Sequence, residues 1–197
     1  MAQLQEIWEA KLEPVYPYRK AGPTVEPITG SLTAPAAPKI GVAKPKVIIP
    51  VFPGTNCEYD TAKAFARAGA DPEILVVRNL TPADVAESCE ALVKAIDASQ
   101  IVMLPGGFSG GDEPDGSAKF IASFFRNPAV TEAVRRLLQQ RDGLMLGICN
   151  GFQALIKLGL VPYGEIIDTD ETCPTLTFNT ISRHQSRLVR TRIASNR

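Results

Sequence analysis

Four short apolar runs, each ending in a glycine, proline or polar turn and followed by a stretch of helical period, leave this chain few folds. They are KVIIPVF (46–52), PEILVV (72–77), QIVMLP (100–105) and GLMLGI (143–148). The first is β-branched and continuously apolar, the pattern of a parallel strand buried on both sides. After it, TNCEYDTAKAFARAGA sets Ala62, Phe65 and Ala66 at i, i+3 and i+4, an inner helical face, with Gly69 near its stop. TPADVAESCEALVKAID carries its own start signal: Thr81 to cap, Pro82 in the first turn and Asp84 near the positive end. Residues 117–125, 128–140 and CNGFQALIKLGL, ended by Gly159, read as further helices. Strands alternating with helices imply right-handed crossovers and a mostly parallel sheet with helices on both faces, the α/β class.

The flanks differ. Seven of the 16 prolines precede residue 46, and residues 13–45 keep no helical or strand period. Residues 1–45 are read as a linker region in which AQLQEIWEAKL is either a short helix with Leu4, Ile7, Trp8 and Leu12 on one side or a disordered tail. After Pro162, TLTFNTI (175–181) and SRLVRTRI (186–193) alternate enough to be expected as strands. The chain stops at Arg197 without the terminal helix of a doubly wound domain. The domain over 46–197 is therefore expected to be C-terminally incomplete.

Charge excludes some partners. Lysine plus arginine equals aspartate plus glutamate, 21 each, so no global excess points to nucleic acid or an anionic membrane. No apolar stretch reaches the ~18 residues of a membrane span, and the N-terminus has no secretory apolar core. A cytoplasmic setting is expected. Cys57, Cys89, Cys149 and Cys173 lie far apart with no CxxC pair, which suggests free thiols rather than a disulfide framework or zinc site.

One cysteine sits where the chain must turn. In LGICNGFQ a strand ends at Ile148 and a helix begins near Asn150, with Gly147 and Gly151 two residues either side of Cys149. This is a nucleophile elbow with cysteine in place of serine. Side chains at i−2 and i+2 of so tight a turn collide with neighbouring backbone, so glycine is required there. The following helix aims its N–H groups and positive end at the sulfur, which favours a thiolate and an oxyanion. Active sites of open parallel sheets lie beyond the carboxyl ends of the strands. PGTN (53–56), PGGFSGGDE (105–113) and Cys149 all fall there, and the N–H groups of Gly106 and Gly107 are natural donors for a second arm of an oxyanion hole. A structural cysteine in a tight turn is the competing reading of a bare GxCxG; the strand before, the helix after and the glycine loop favour chemistry.

FPGTNCEYD, LPGGFSGGDEPDG and LGICNGFQ, in that order, resemble the class I (triad) glutamine amidotransferase domain, more narrowly the amidotransferase portion of phosphoribosylformylglycinamidine synthase. The resemblance covers roughly 46–197, and EIWEAKLEPVYP is similar to the linker before this domain in fused versions. It implies a flavodoxin-like fold and a mechanism. Cys149 would attack the side-chain amide carbon of glutamine, release ammonia and leave a γ-glutamyl thioester for water to open. Asn150 and Gly106–Gly107 would supply backbone donors to the oxyanion, and Gln153 would help hold the substrate. The ammonia would pass to a synthase body, fused or separate, that holds ATP and magnesium and makes formylglycinamidine ribonucleotide. No metal or other cofactor is expected in this domain.

The resemblance also marks a departure. The family's histidine and glutamate come in a later motif, and the chain holds one histidine, His184, in a segment resembling the stretch before it. His184 is read as a surface or packing residue, and the 197 residues alone are expected to hydrolyse glutamine negligibly. Cys57 follows the first strand toward the same crevice, but a helix start accounts for it; Cys89 is read as core and Cys173 as a loop residue. Asp112, Glu113 and Asp115 read as a solvated loop face, since their spacing matches no coordination loop. FSGGDEPDGS lacks the Gly-Lys-Ser/Thr end of a phosphate-binding loop. The basic run RLVRTR (187–192) faces solvent or the synthase body on this reading. Two rivals share the chain: a cysteine hydrolase or glyoxalase-type member of the same superfamily, and a non-catalytic docking module.

Overall fold

A computed structural model describes residues 2–11, 41–110, 117–176, 179, 181, 183–186, 188 and 189. The chain divides into two compact units, Gly41–Phe178 and a second made of Met1–Ile40 with Asn179–Arg197. The first unit carries the sheet. Its strands are β1 (Lys46–Val51), β2 (Asp71–Val76), β3 (Ile101–Leu104) and β4 (Leu144–Gly147), all parallel in the order β2-β1-β3-β4. That order is the flavodoxin-like arrangement. The expected strands are all present, each shorter than its apolar run or offset from it by a residue.

Register sorts the strand side chains into two faces. Val47 pairs with Ile101 and Ile101 with Leu144, while Ile48 pairs with Val102 and Val102 with Met145. Around Ile48, Val102 and Leu104 gathers the larger core, with Cys89, Leu92, Ile96, Ile121, Phe125, Val134 and Leu158. These come from α3 (Pro82–Ala98), α4 (Lys119–Phe125), α5 (Pro128–Arg135), whose end continues as a π-helical turn, and α6 (Asn150–Leu158). Val47, Ile49 and Met103 point the other way, under Ala62 and Phe65 of α2 (Glu58–Arg67). Helices therefore cover both faces. Ala66, expected on the inner side of α2, is exposed, so the helix meets the sheet on a narrower stripe than its sequence suggested.

Local signals explain the element ends. Thr81 and Asp84 form a reciprocal capping box at the start of α3, with Pro82 behind it. Phe52, at the end of β1, meets Phe120 and Phe124 of α4 edge-on at 5.9 and 5.4 Å. Its N–H donates to Thr55 Oγ1 at 3.1 Å, so the loop after β1 leaves the core at a fixed angle. At the other end of the sheet β4 is an edge strand among the described residues, and Leu144, Leu146 and Ile148 are exposed.

In the second unit, α1 (Ala2–Ala10) forms, the helical of the two readings, with Leu4, Ile7 and Trp8 exposed; Leu12 lies outside the described residues. The two expected C-terminal strands are not found among the described residues of 175–181 and 186–193, and the rest of both segments lies outside them. Among the described residues no helix is long and apolar enough to cross a membrane.

Candidate active site

The turn at Cys149 is tight because two glycines let backbone meet backbone. A Cβ on Gly151 would lie 2.0 Å from the Leu104 carbonyl oxygen, and one on Gly147 would lie 2.6 Å from the Gly151 carbonyl carbon. The first turn of α6 is thus pressed onto the end of β3, where Leu104 O also accepts from Ile148 N at 3.1 Å. Between the glycines Cys149 takes φ 54° and ψ −111°, a conformation that L residues rarely adopt. Such strain costs on the order of 1–3 kcal/mol and persists only where the surroundings enforce it. It turns the side chain outward, and Cys149 is exposed.

A second strap crosses beside the sulfur. A Cβ on Gly106 would lie 3.3 Å from Cys149 Cβ, so the strap runs beside the cysteine at a residue without a side chain. The strap is clamped to the loop after β1. Asn56 N donates to Gly106 O at 2.9 Å, Phe108 N to Gly54 O at 2.9 Å, and Gly110 N to Pro53 O at 2.8 Å. Gly54 and Gly107, at φ 85° and 110°, make the fit, since a Cβ on either would strike the opposite loop within 2.7 Å. Among the described residues neither the Gly106 nor the Gly107 N–H has an acceptor. Two backbone donors are thus held on the strap beside the Cys149 turn.

Asn150 and Gln153 complete the cluster. Asn150 is buried at 1% exposure, and its side chain joins the strap to α6: Ser109 N donates to Oδ1 and Nδ2 donates to Gln153 Oε1, both at 3.3 Å. Gln153 is half-buried. The sequence pointed to Asn150 for its backbone and missed its side chain, and with it the buried Ser109. No residue pattern announces such a link between two loops 41 positions apart.

The structure brings Cys149, Gly106, Gly107, Asn150 and Gln153 together on one rim. Cys57, also on that side of the sheet, starts α2 at φ 70°, exposed, with its thiol donating to Asn56 Oδ1 at 3.0 Å. His184 is exposed and belongs to the second unit. Asp112, Glu113 and Asp115 lie outside the described residues, as does part of RLVRTR. A groove of about 590 Å³ opens elsewhere, between α4, the end of α6 and the 169–175 loop, and none of the rim residues lines it.

Three of the four thiols should separate by chemistry; the fourth, Cys173, is half-buried. Cys57 and Cys149 are exposed, whereas Cys89 is buried in α3 and burial pushes its thiol up. Native alkylation with iodoacetamide near pH 8 is expected to modify Cys57 and Cys149 and to spare Cys89 until urea is added. Peptide mass spectrometry reads the pattern; early modification of Cys89 would contradict the packing of α3.

Comparison with known proteins places the chain. A family model for the CobB/CobQ-like glutamine amidotransferase domain matches residues 44–197. A phosphoribosylformylglycinamidine synthase subunit PurQ of Dehalococcoides mccartyi is 36% identical over 148 residues, covering 74% of this chain and 51% of the relative. The subunit of the same name from Methanococcus maripaludis is 35% identical over 145 residues, covering 74% and 48%. Among solved structures, one described as the structure of PurLQS from Thermotoga maritima matches 59% of this chain and 45% of that one, at 27% identity and a TM-score of 0.42. The chain spans about half the length of the curated relatives it matches. Matched along most of its length by the family's model and by such relatives, it belongs to the CobB/CobQ-like glutamine amidotransferase domain family.

Proposed function

We propose that this chain is the glutamine-cleaving part of a phosphoribosylformylglycinamidine synthase, and that Cys149 is its nucleophile. The observation that carries the reading is an exposed cysteine at a strained turn, beside a glycine strap with two N–H donors unused among the described residues, in a chain of this family. The sulfur attacks the side-chain amide carbon of glutamine. Its bond to carbon forms as the carbonyl π bond opens, and the developing oxyanion lies against the N–H groups of Gly106 or Gly107 and Asn150. When the intermediate collapses, the carbon–nitrogen bond breaks and the proton from the thiol leaves with ammonia. Water then opens the γ-glutamyl thioester to glutamate and free thiol. Gln153 holds the substrate. The chain itself supplies no ATP or metal chemistry on this reading; a synthase body takes the ammonia, with ATP and magnesium, to formylglycinamidine ribonucleotide. With all four cysteines free, a reducing, cytosolic compartment suits it.

The glutamine-mimicking electrophile 6-diazo-5-oxo-norleucine tests this. It is expected to alkylate Cys149 selectively, with glutamine protecting and glutamate protecting less. Protection by an aldehyde instead would favour a glyoxalase-type site. His184→Ala is expected to leave labelling unchanged; a rate lost on that substitution would make His184 the base.

A further inference from the structure

Ser88, Ser99, Ser109 and Asn150 are buried polar residues, and the last two lie at the rim. Burying a side-chain amide is costly unless its polar ends find partners. Asn150 finds them in a fixed order. Ser109 N is a backbone amide, so it can only donate, and Asn150 must turn its Oδ1 toward it, at 3.3 Å. That leaves Nδ2 facing Gln153, and Nδ2 can only donate, so Gln153 must answer with Oε1, also at 3.3 Å. One backbone N–H thereby sets the orientation of two side-chain amides in series. The Nε2 of Gln153 is the end left to a ligand, and it offers hydrogen atoms only.

We propose that Asn150 is a positioning residue whose side chain fixes the strap of Gly106–Ser109 against the Cys149 turn and makes Gln153 a donor, selective for a carboxylate or carbonyl oxygen on the ligand. The inference rests on the glutamine reading above and deepens it. A ligand presenting an ammonium group to Gln153 meets no acceptor there; one presenting its carboxylate meets a donor.

Two variants separate the two halves of the role. In Asn150→Ala the bonds to Ser109 N–H and to Gln153 Oε1 go. In Asn150→Asp the carboxylate still accepts from Ser109 N–H but has no N–H to give, so Gln153 must rotate, donate to it, and show Oε1 to the ligand. For 6-diazo-5-oxo-norleucine acting on the full chain, Asn150→Asp is expected to raise the inhibition constant about tenfold, one charge-assisted hydrogen bond turned to repulsion, with the limiting rate of alkylation within about threefold of wild type. Asn150→Ala is expected to change both constants by about tenfold. Hydrogen exchange at the Ser109 amide should quicken about tenfold in Asn150→Ala and stay near wild type in Asn150→Asp. A merely structural residue would not divide these readouts. Equal inhibition constants in wild type and Asn150→Asp, or unchanged Ser109 exchange in Asn150→Ala, would overturn the proposal. Should the exchange pattern hold while glutamine fails to protect the wild type, the positioning stands for the strap and the glutamine reading falls.

Discussion

Gly151→Ala is expected to destabilise the Gly41–Phe178 unit by at least about 3 kcal/mol, the upper end of the cost of forcing a methyl into packed structure. The Cβ would sit 2.0 Å from the Leu104 oxygen, 2.6 Å from its carbonyl carbon and 2.8 Å from its Cβ. Two of these atoms are backbone of β3, a central strand, so no side-chain rotation relieves the clash. Either α6 lifts off the sheet or Leu104 moves, and moving it disturbs its bond from Ile148 N. A domain of this size holds only about 5–15 kcal/mol in total, so the loss would be visible as a large drop in the urea midpoint. Gly69→Ala is the control. Gly69 has φ +91° but nothing within 4 Å of a new Cβ, so it should lose about 1 kcal/mol from backbone strain alone. Equal losses in the two variants would mean that the contact of α6 with β3 is looser than described.

Cys149→Gly is expected to make the protein more stable by about 1 kcal/mol while any glutaminase rate and all thiol chemistry at the site disappear. Glycine adopts φ 54°, ψ −111° without the clash that a Cβ suffers, which offsets its extra freedom in the unfolded chain. Cys149→Ala keeps the Cβ, so it should abolish the same chemistry by ~10⁴-fold or more without the gain in stability. Paired denaturation curves of the two variants read the strain directly. If glycine and alanine gave the same midpoint, the turn would not be storing energy at the sulfur.

The alternation of apolar runs with helical stretches made the sheet legible, because period and turn residues are local properties of sequence. The elbow was legible for the same reason: Gly147, Cys149 and Gly151 fall within five consecutive residues of one chain segment. What escaped was set by tertiary neighbours. β4 reads as apolar as β1, yet among the described residues it lies at the edge, with Leu144, Leu146 and the following Ile148 exposed, because strand order rather than composition decides which strand is central. Ala66 sits at a helical spacing that suggests burial, but α2 packs on the sheet through Ala62 and Phe65 and leaves Ala66 exposed. The demand for glycine at position 54 comes from the opposite loop, whose Phe108 oxygen lies 1.9 Å from where a Cβ would be. The Asn150 side chain was invisible because both of its partners are fixed only by the fold.

The clamped pair of loops after β1 and β3 has a bearing on how such a rim can diverge. At positions 54, 107, 147 and 151 a methyl group meets main chain, so heritable variation there is closed by sterics. Phe108 and Phe152, at 80% and 40% exposure on the same segments, carry no such restriction. New preferences for neighbours or cargo can be written at those two aromatic positions, with the peptide framework beneath them left as it is.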